Sequence, residues 1–225
     1  MIKGLVFDFD GLILDTESVE YAALQWVYNQ YGQSLSMDIW GACIGTQHEF
    51  DPILHLKEIA ELELPAQGLH RLYRARFCRL IRNEKPRPGV VDYLESAQEM
   101  GLKLAIASSS PMSWVEGFLE DLGLIRYFHA ICTADDVEVV KPDPALYEVA
   151  VQRLGIEPAE AVAFEDSPNG ALAAKRAGLS CVVIPNSVTE GLSFGDFDLK
   201  LSSMADLPLK ELMAMLMGKL DKLIS

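Results

Sequence analysis

The stretch LVFDFDG at residues 5–11 places two carboxylates in and just after a short apolar run. The run from Gly4 to Phe9 has the length of a β-strand and the continuous hydrophobicity of one buried on both faces. Asp10 on its own could simply cap a turn. Asp8 lies inside the run, where a charged side chain needs an ionic partner or a metal ion. The stretch therefore predicts a buried strand carrying a carboxylate that something else must neutralise.

Further strands are predicted along the rest of the chain. Four runs rich in β-branched and apolar residues have strand length: Lys103–Ala107, Ala130–Thr133, Ala161–Glu165 and Cys181–Ile184. From residue 88 onward they alternate with helical patterns, several of which stop at a glycine. This alternation predicts an α/β fold with a doubly wound, Rossmann-like parallel sheet.

A long helical segment separates the first two strands. Roughly 90 residues lie between them with almost no strand signal, far more than an ordinary strand-to-helix connection. We therefore expect residues 16–84 to form an inserted α-helical cap. Residues 1–15 and 85–225 would then form the α/β catalytic core.

Composition limits the possible partners. The 225 residues include 33 acidic and 19 basic side chains, for a formal net charge of −14, which argues against nucleic acid or an anionic membrane as partner. An anionic substrate would need a local remedy such as a metal ion. The four cysteines form no C-x-x-C pair, and no apolar run approaches the roughly 20 residues of a membrane span. We expect a soluble, cytoplasmic protein.

Polar side chains follow each of the first four predicted strands. After Asp8 and Asp10 come a serine cluster at 108–110, Lys141 in the next loop, and the pair Glu165-Asp166. Each could be an ordinary cap or surface residue alone. In an open α/β sheet, however, ligands bind outside the carboxyl ends of the strands, where these loops meet. Their coincidence at one edge predicts a site.

The charge of that edge predicts its cofactor. Two carboxylates about 4 Å apart repel by roughly 4 kcal/mol at an effective dielectric near 20. Convergence of Asp8, Asp10 and Asp166 without a cation would raise a carboxyl pKa sharply. Mg²⁺ prefers oxygen ligands and uses one or two carboxylates while keeping waters and substrate phosphate. The sequence therefore predicts a site for a phosphate on Mg²⁺.

At this point the residues carry a resemblance to a known family. DFDG at 8–11 with LDTE at 14–17, SSS at 108–110, KP at 141–142 and FEDSPNG at 164–170 together resemble the haloacid dehalogenase-like (HAD) superfamily. Within it, the chain is similar to the β-phosphoglucomutase-like and phosphoglycolate-phosphatase-like branch. The resemblance covers the whole length, including the helical cap.

The resemblance implies roles for the reacting groups. Asp8 matches the nucleophile that forms an aspartyl-phosphate, and Asp10 matches the general acid and base. Ser108, with Ser109 beside it, matches the hydroxyl that binds the transferring phosphoryl group. Lys141 matches the lysine that offsets the charge of Asp8 and phosphate.

The resemblance also implies the metal ligands. Asp166, helped by Glu165, matches the Mg²⁺ ligands, and Asp8 and the Asp10 carbonyl complete the protein shell. Dehalogenases of the superfamily lack the second Asp of the first motif, and phosphonatases have a small residue there. Asp10 therefore favours phosphate-ester chemistry.

The predicted cap bears on phosphatase against mutase activity. Phosphoglucomutases of this branch carry a hinge His where this chain has Glu20, and an Arg near Gly45 where it has His48. Those basic groups hold a second phosphate, which Glu20 would repel. We expect substrate contacts at the cap face, around Glu17, Glu20, Gly45 and His48.

These observations predict a Mg²⁺-dependent phosphatase of small phosphorylated metabolites, most simply sugar phosphates, that is a monomer or weak homo-oligomer. One alternative is a phosphosugar mutase of the β-phosphoglucomutase type. Another is a non-catalytic module that binds phosphate or metal, although such a module has no reason to keep Asp10.

Overall fold

The computed structural model of the protein describes residues 1–41, 44 and 50–224, with side chains described up to residue 218. The strands are β1 (Gly4–Phe7), β2 (Lys103–Ala107), β3 (Ala130–Cys132), β4 (Ala161–Glu165), β5 (Ser180–Val183) and β6 (Leu199–Lys200). The helices are α1 (Thr16–Asn29), α2 (Met37–Gly41), α3 (Pro52–Ile59), α4 (Ala66–Ile81), α5 (Val90–Glu99), α6 (Met112–Asp121), α7 (Ala145–Leu154), α8 (Pro168–Arg176) and α9 (Leu209–Ile224).

The strands form one sheet in the order β3-β2-β1-β4-β5-β6, and every pairing is parallel. The chain builds outward from β1 to β3, then returns to place β4 on the other side of β1. Such a reversal of strand order marks the ligand-binding crevice of an α/β sheet. Because Phe7 of β1 lies opposite Phe164 of β4, Asp8 emerges level with Glu165. The predicted doubly wound α/β fold is confirmed.

Helices cover both faces of the sheet. On one face, Leu5 and Phe7 of β1 pack with α5, α6 and α9. On the other, Val6 packs with α7 and α8. Successive strand residues point to opposite faces, so this double cover explains why the strand is apolar at every position.

Helices α1 to α4 lie between β1 and β2 in the chain, as the absence of strand signal predicted. They share an apolar cluster that includes Leu24, Val27 and Trp40. Phe77 and Ile81 of α4 instead join the cluster beside the sheet, so α4 contacts both groups. The division into a core (1–15 and 85–225) and a cap (16–84) stays a prediction.

The chain re-enters the sheet region through Arg87. Its backbone N–H donates to the Ile13 carbonyl at 2.9 Å. Its guanidinium donates to the carbonyls of Gly11 (2.5 Å), Ile184 (2.9 Å) and Pro185 (2.8 Å). One side chain therefore ties the loop after β1 to the loop after β5.

The first strand is shorter than predicted. The first strand ends at Phe7, so Asp8 directly follows the strand instead of lying within it. Helix α1 begins at Thr16, where the Asp15 side chain caps it by accepting from Ser18 N–H at 3.1 Å. Of the closely spaced methionines in α9, Met213 is buried, whereas Met215 and Met217 are exposed.

Among the helices of the described residues, none combines the length and apolar character needed to cross a membrane.

Candidate active site

Asp8 lies at the carboxyl end of β1 and is almost fully buried. Its backbone N–H donates to the Phe164 carbonyl at 3.0 Å, which continues the β1–β4 ladder by one residue. Its carboxylate Oδ1 accepts from Lys141 Nζ at 2.7 Å. Burial raises the pKa of Asp8 well above its ordinary value; the Lys141 ammonium opposes this, whereas Glu165 and Asp166 add to it.

Lys141 is a fully buried cation between two carboxylates. Its Nζ lies 2.7 Å from Asp8 Oδ1 and 2.7 Å from Glu165 Oε1. Burial alone would lower the pKa of Lys141, but the charges of Asp8 and Glu165 raise it above its ordinary value. The ammonium is therefore present at every physiological pH. The Tyr147 hydroxyl of α7 also donates to Glu165 Oε1 at 2.5 Å, which fixes the position of the Glu165 carboxylate.

Asp166 follows β4 and lies beside Glu17 of α1. Asn186 Nδ2 donates to both carboxylates, at 2.7 Å to Asp166 Oδ2 and 2.9 Å to Glu17 Oε2. Burial raises the pKa of Glu17 and that of Asp166 well above their ordinary values, and the two carboxyls also interact with each other. Gly11 (φ 74°) is required here, since a Cβ would collide with Asp166, Asn186 and Glu17.

The cluster fits a divalent cation. Asp8, Glu165 and Asp166 each offer a carboxylate oxygen, and these oxygens all lie within 4.8 Å of one another. Oδ1 of Asp166 is buried and has no hydrogen-bond partner within the part of the chain that the structure describes. An unpartnered buried carboxylate oxygen is costly unless a ligand completes it. A hard cation with oxygen ligands would satisfy Oδ1 and reduce the repulsion among the acids.

Asp10 accepts hydrogen bonds at both carboxylate oxygens. Oδ1 accepts from Thr16 Oγ1 at 2.8 Å and from Trp114 Nε1 at 2.8 Å. Oδ2 accepts from Ser110 Oγ at 2.6 Å and, more weakly, from Ser108 Oγ at 3.4 Å. The carboxylate is therefore held in one orientation by groups from α1, from α6 and from the loop after β2.

These groups meet in one cleft. A cavity of about 1180 Å³ lies between α4 and the carboxyl ends of the strands. Its wall includes Asp8, Asp10, Ser108, Ser109 and Lys141, so the predicted nucleophile, acid and phosphate-binding groups share one space. This arrangement can hold a phosphate ester beside a carboxylate nucleophile and a second carboxylate.

The substrate residues predicted on the cap have different positions. Glu17 and Glu20 both line the cleft. Glu17 is bonded to Asn186, whereas Glu20 accepts a hydrogen bond from the Tyr73 hydroxyl of α4. Burial raises the pKa of Glu20, which the Tyr73 hydrogen bond partly offsets. Gly45 and His48 lie outside the described residues.

Several residues that hold the site together were not predicted from the sequence. Asn186 follows β5 at the same sheet edge, so asking what comes after the fifth strand would have found it. Trp114 and Tyr147 lie inside ordinary amphipathic helices, where their patterns indicate only core packing. Thr16 was quoted as part of a motif, but only the structure shows its bond to Asp10.

Comparison with known proteins gives the family of the chain. The family model described as haloacid dehalogenase-like hydrolase matches residues 5–184. The chain is 51% identical over 209 residues to YhcW of Bacillus subtilis, which is classed by name as a phosphatase, covering 93% of this chain and 95% of that protein. It is 33% identical over 194 residues to the phosphorylated carbohydrates phosphatase of Thermotoga maritima, covering 84% and 88%.

A solved structure is also similar. The crystal structure of CbbY from Rhodobacter sphaeroides in complex with phosphate matches with a TM-score of 0.73 and 30% identity, covering 92% of this chain and 96% of that one. The chain belongs to the haloacid dehalogenase-like hydrolase family. This membership confirms the resemblance inferred from the motifs and the predicted enzyme class, a phosphoric monoester hydrolase.

Proposed function

We propose that the protein is a Mg²⁺-dependent phosphatase of small phosphorylated metabolites, with sugar phosphates as the substrate class. The observation that carries this proposal is the position of Asp8. It opens onto the cleft while its Oδ1 is held by Lys141, and it lies within the carboxylate cluster completed by Glu165 and Asp166.

The proposed reaction has two steps that share one phosphorus atom. Because Lys141 binds Oδ1 of Asp8, Oδ2 attacks phosphorus, and an Asp8–phosphorus bond forms as the ester bond breaks. Asp10 gives its proton to the leaving oxygen. Asp10 then takes a proton from a water molecule, whose oxygen attacks phosphorus and breaks the bond to Asp8. The products are inorganic phosphate, the free alcohol and the original enzyme.

The remaining residues bind and orient the phosphoryl group. Ser108 and Ser109 line the cleft next to Asp10, and Lys141 offsets negative charge on Asp8 and on the phosphate. Positioning and electrostatic stabilisation supply most of the catalysis in phosphoryl transfer.

The metal site uses the carboxylates described above. Asp8, Glu165 and Asp166 would hold Mg²⁺, with the Asp10 carbonyl as the further protein ligand. When bound, the ion supplies positive charge against the phosphate oxygens. Glu165 already binds Lys141 and Tyr147, whereas Oδ1 of Asp166 has no partner among the described residues. We therefore expect Asp166, rather than Glu165, to be the principal metal ligand.

Hydrolysis is favoured over phosphosugar mutase activity. Returning a phosphoryl group to the sugar requires cationic groups that hold a second phosphate. At position 20 the cleft instead presents a carboxyl group bonded to Tyr73. Two relatives also support hydrolysis, since one is named a phosphatase and the other a phosphorylated carbohydrates phosphatase. A cytoplasmic location and a monomer or weak homo-oligomer remain predictions.

The test is phosphate release from a panel of phosphorylated metabolites, in Mg²⁺ and in EDTA, for the wild type and for Asp8→Asn. We expect release from sugar phosphates that requires Mg²⁺ and is abolished by the substitution. Interconversion of hexose 1- and 6-phosphates without phosphate release would favour the mutase. Absence of both reactions across the panel would contradict the proposal and favour a binding module.

A further inference from the structure

We propose that Trp114 is a positioning residue for Asp10 and that it links the orientation of this carboxyl group to the packing of α4. The inference rests on the proposed function, in which Asp10 is the acid and base. Trp114 itself is not expected to touch the reacting atoms.

A hydrogen bond from the Trp114 indole fixes one carboxylate oxygen of Asp10. Trp114 Nε1 donates to Asp10 Oδ1 at 2.8 Å, while Ser110 Oγ donates to Oδ2 at 2.6 Å. A hydroxyl can donate or accept, but an indole N–H can only donate. Oδ1 is therefore kept as an acceptor, and Oδ2 is the oxygen that can exchange a proton.

The other carboxylate oxygen of Asp10, Oδ2, lies beside the predicted phosphate-binding serine. It lies beside Ser110 and Ser108, and Ser108 is the residue assigned to the phosphoryl group. Holding Oδ1 against the indole therefore directs the exchangeable oxygen towards the phosphate. A carboxyl group that rotated away would lose this alignment, and proton transfer depends on hydrogen-bond reach.

Aromatic rings of α4 and α6 hold the Trp114 indole in place. Its ring stacks on Phe77 of α4, with centroids 5.6 Å apart at 26°, and meets the ring of Phe118 edge-on at 4.9 Å. Phe77 in turn contacts Tyr73, which donates to Glu20 of α1. A continuous row of rings thus joins the helices before β2 to Asp10. Displacement of α4 would remove the stack that sets the indole plane.

The experiment compares two substrates in the variant Trp114→Phe, which keeps a ring against Phe77 and Phe118 but removes the N–H. The substrates are an alkyl phosphate, whose leaving oxygen needs a proton, and p-nitrophenyl phosphate, whose leaving group departs without one. The value of kcat/KM reports the first phosphoryl transfer, in which the leaving group departs. Trp26→Phe is the matched control, since the described ring contact of Trp26 is with Arg76.

We expect Trp114→Phe to lower kcat/KM for the alkyl phosphate by about tenfold, the effect of one hydrogen bond to a charged group, and that for p-nitrophenyl phosphate by less than about twofold. Trp26→Phe should leave both values unchanged. Phe77→Leu, which keeps the N–H but removes the stacking ring, should show a smaller loss with the same substrate selectivity. It also tests the proposal if Trp114→Phe does not fold.

Equal losses for both substrates, or no loss in folded variants, would overturn the proposal. Asp10→Asn separates this failure from failure of the proposed function. If that variant shows the leaving-group selectivity and Trp114→Phe does not, only the role of Trp114 is rejected. If Asp10→Asn itself shows no selectivity, Asp10 is not the acid, and both proposals fall.

Discussion

Lys141 is the buried cation on which the carboxylates at the ends of β1 and β4 depend. We expect Lys141→Met to destabilise the metal-free protein by about 3–5 kcal/mol, because it leaves Asp8 and Glu165 without a counter-charge in the interior. Phosphate release should fall by about a hundredfold or more, since removal of a group that stabilises transition-state charge has this effect. Urea unfolding and steady-state kinetics would measure the two effects.

Lys175→Met is the matched control for that substitution. Lys175 Nζ lies 2.8 Å from Asp198 Oδ2, but 23% of the Lys175 side chain is exposed to solvent. Such a pair contributes about 0–1 kcal/mol, so the control should remain stable and active. Equal stability and activity in the two variants would show that the buried lysine is not needed to neutralise the site.

Tyr147 offers a second test at the scale of one hydrogen bond. Tyr147→Phe removes the donor to Glu165 Oε1 and should cost about 1–3 kcal/mol in stability and lower kcat, because Glu165 fixes Lys141. Tyr93→Phe likewise removes one buried bond, from Tyr93 to the Leu207 carbonyl at 2.7 Å. We expect the two variants to have similar unfolding curves, with kcat lowered only in Tyr147→Phe. Equal kcat values in the two variants would show that Tyr147 does not position Glu165.

The sequence predicted the charged residues of the site better than the groups that hold them. Asp8 was predicted because a charge within an apolar run needs a partner, and Lys141 and Asp166 because polar side chains after several strands meet at one sheet edge. Asn186 was missed because the residues after β5 were not considered, and Tyr147 because its hydroxyl acts only through contacts between segments distant in the chain. Such contacts have no local signature in the sequence.

At the scale of elements, the turn from β4 into α8 builds one side of the site. Ser167 caps α8 by accepting from the Gly170 N–H at 3.1 Å, and Glu165 lies directly beside Gly170. A Cβ on residue 170 would collide with the Glu165 carboxylate. The glycine is therefore needed for close approach of helix and carboxylate, not for its backbone angles.

We expect Gly170→Ala to lower both stability and phosphate release, because Glu165 must move away from Lys141. Gly68→Ala in α4 is the matched control, since its added Cβ has open space around it. Alanine is favoured over glycine within helices by about 1 kcal/mol, so this variant should gain stability and keep its activity. Thermal unfolding and kinetics compare them; a stabilised, fully active Gly170→Ala would contradict the expectation.

The sequence predicted strands β1 to β5 and missed two short elements, strand β6 and helix α2. Strands β2 and β4 have the predicted ends, because each is an apolar run with a charged residue at one end, Lys103 at the start of β2 and Glu165 at the end of β4. Strand β6 has two residues and helix α2 has five, too few for a periodic pattern to show. Both depend on packing against neighbours, which a local pattern does not contain.

At the scale of the whole molecule, buried carboxyls should make stability depend on pH. Burial raises the pKa values of Glu17 and Asp166, which have no lysine beside them, so the folded protein keeps protons that the unfolded chain has lost. Stability of the metal-free protein is therefore expected to rise as pH falls from the raised pKa values towards the ordinary carboxyl range. This contribution is complete below the ordinary carboxyl pKa near 4 and is lost as pH rises through the raised values.

Unfolding in EDTA at several pH values would measure this slope. Glu17→Gln removes one of the raised carboxyls and should flatten it. Mg²⁺ should flatten it as well, since a cation favours the ionised acids that bind it. A stability that increases with pH over this window in EDTA would show that these carboxyls are not protonated in the folded protein.

The most direct test of the account is whether Asp8 becomes phosphorylated during turnover. The enzyme would be mixed with Mg²⁺ and its best sugar phosphate, quenched in acid within the first turnovers, and mapped by peptide mass spectrometry. We predict one phosphoryl group on Asp8 and none in Asp8→Asn. With p-nitrophenyl phosphate, whose leaving group departs without a proton, more phosphorylated Asp8 should accumulate in Asp10→Asn, because activation of the attacking water is slowed. Phosphate release without a phosphorylated Asp8 peptide in either the wild type or Asp10→Asn would contradict the account.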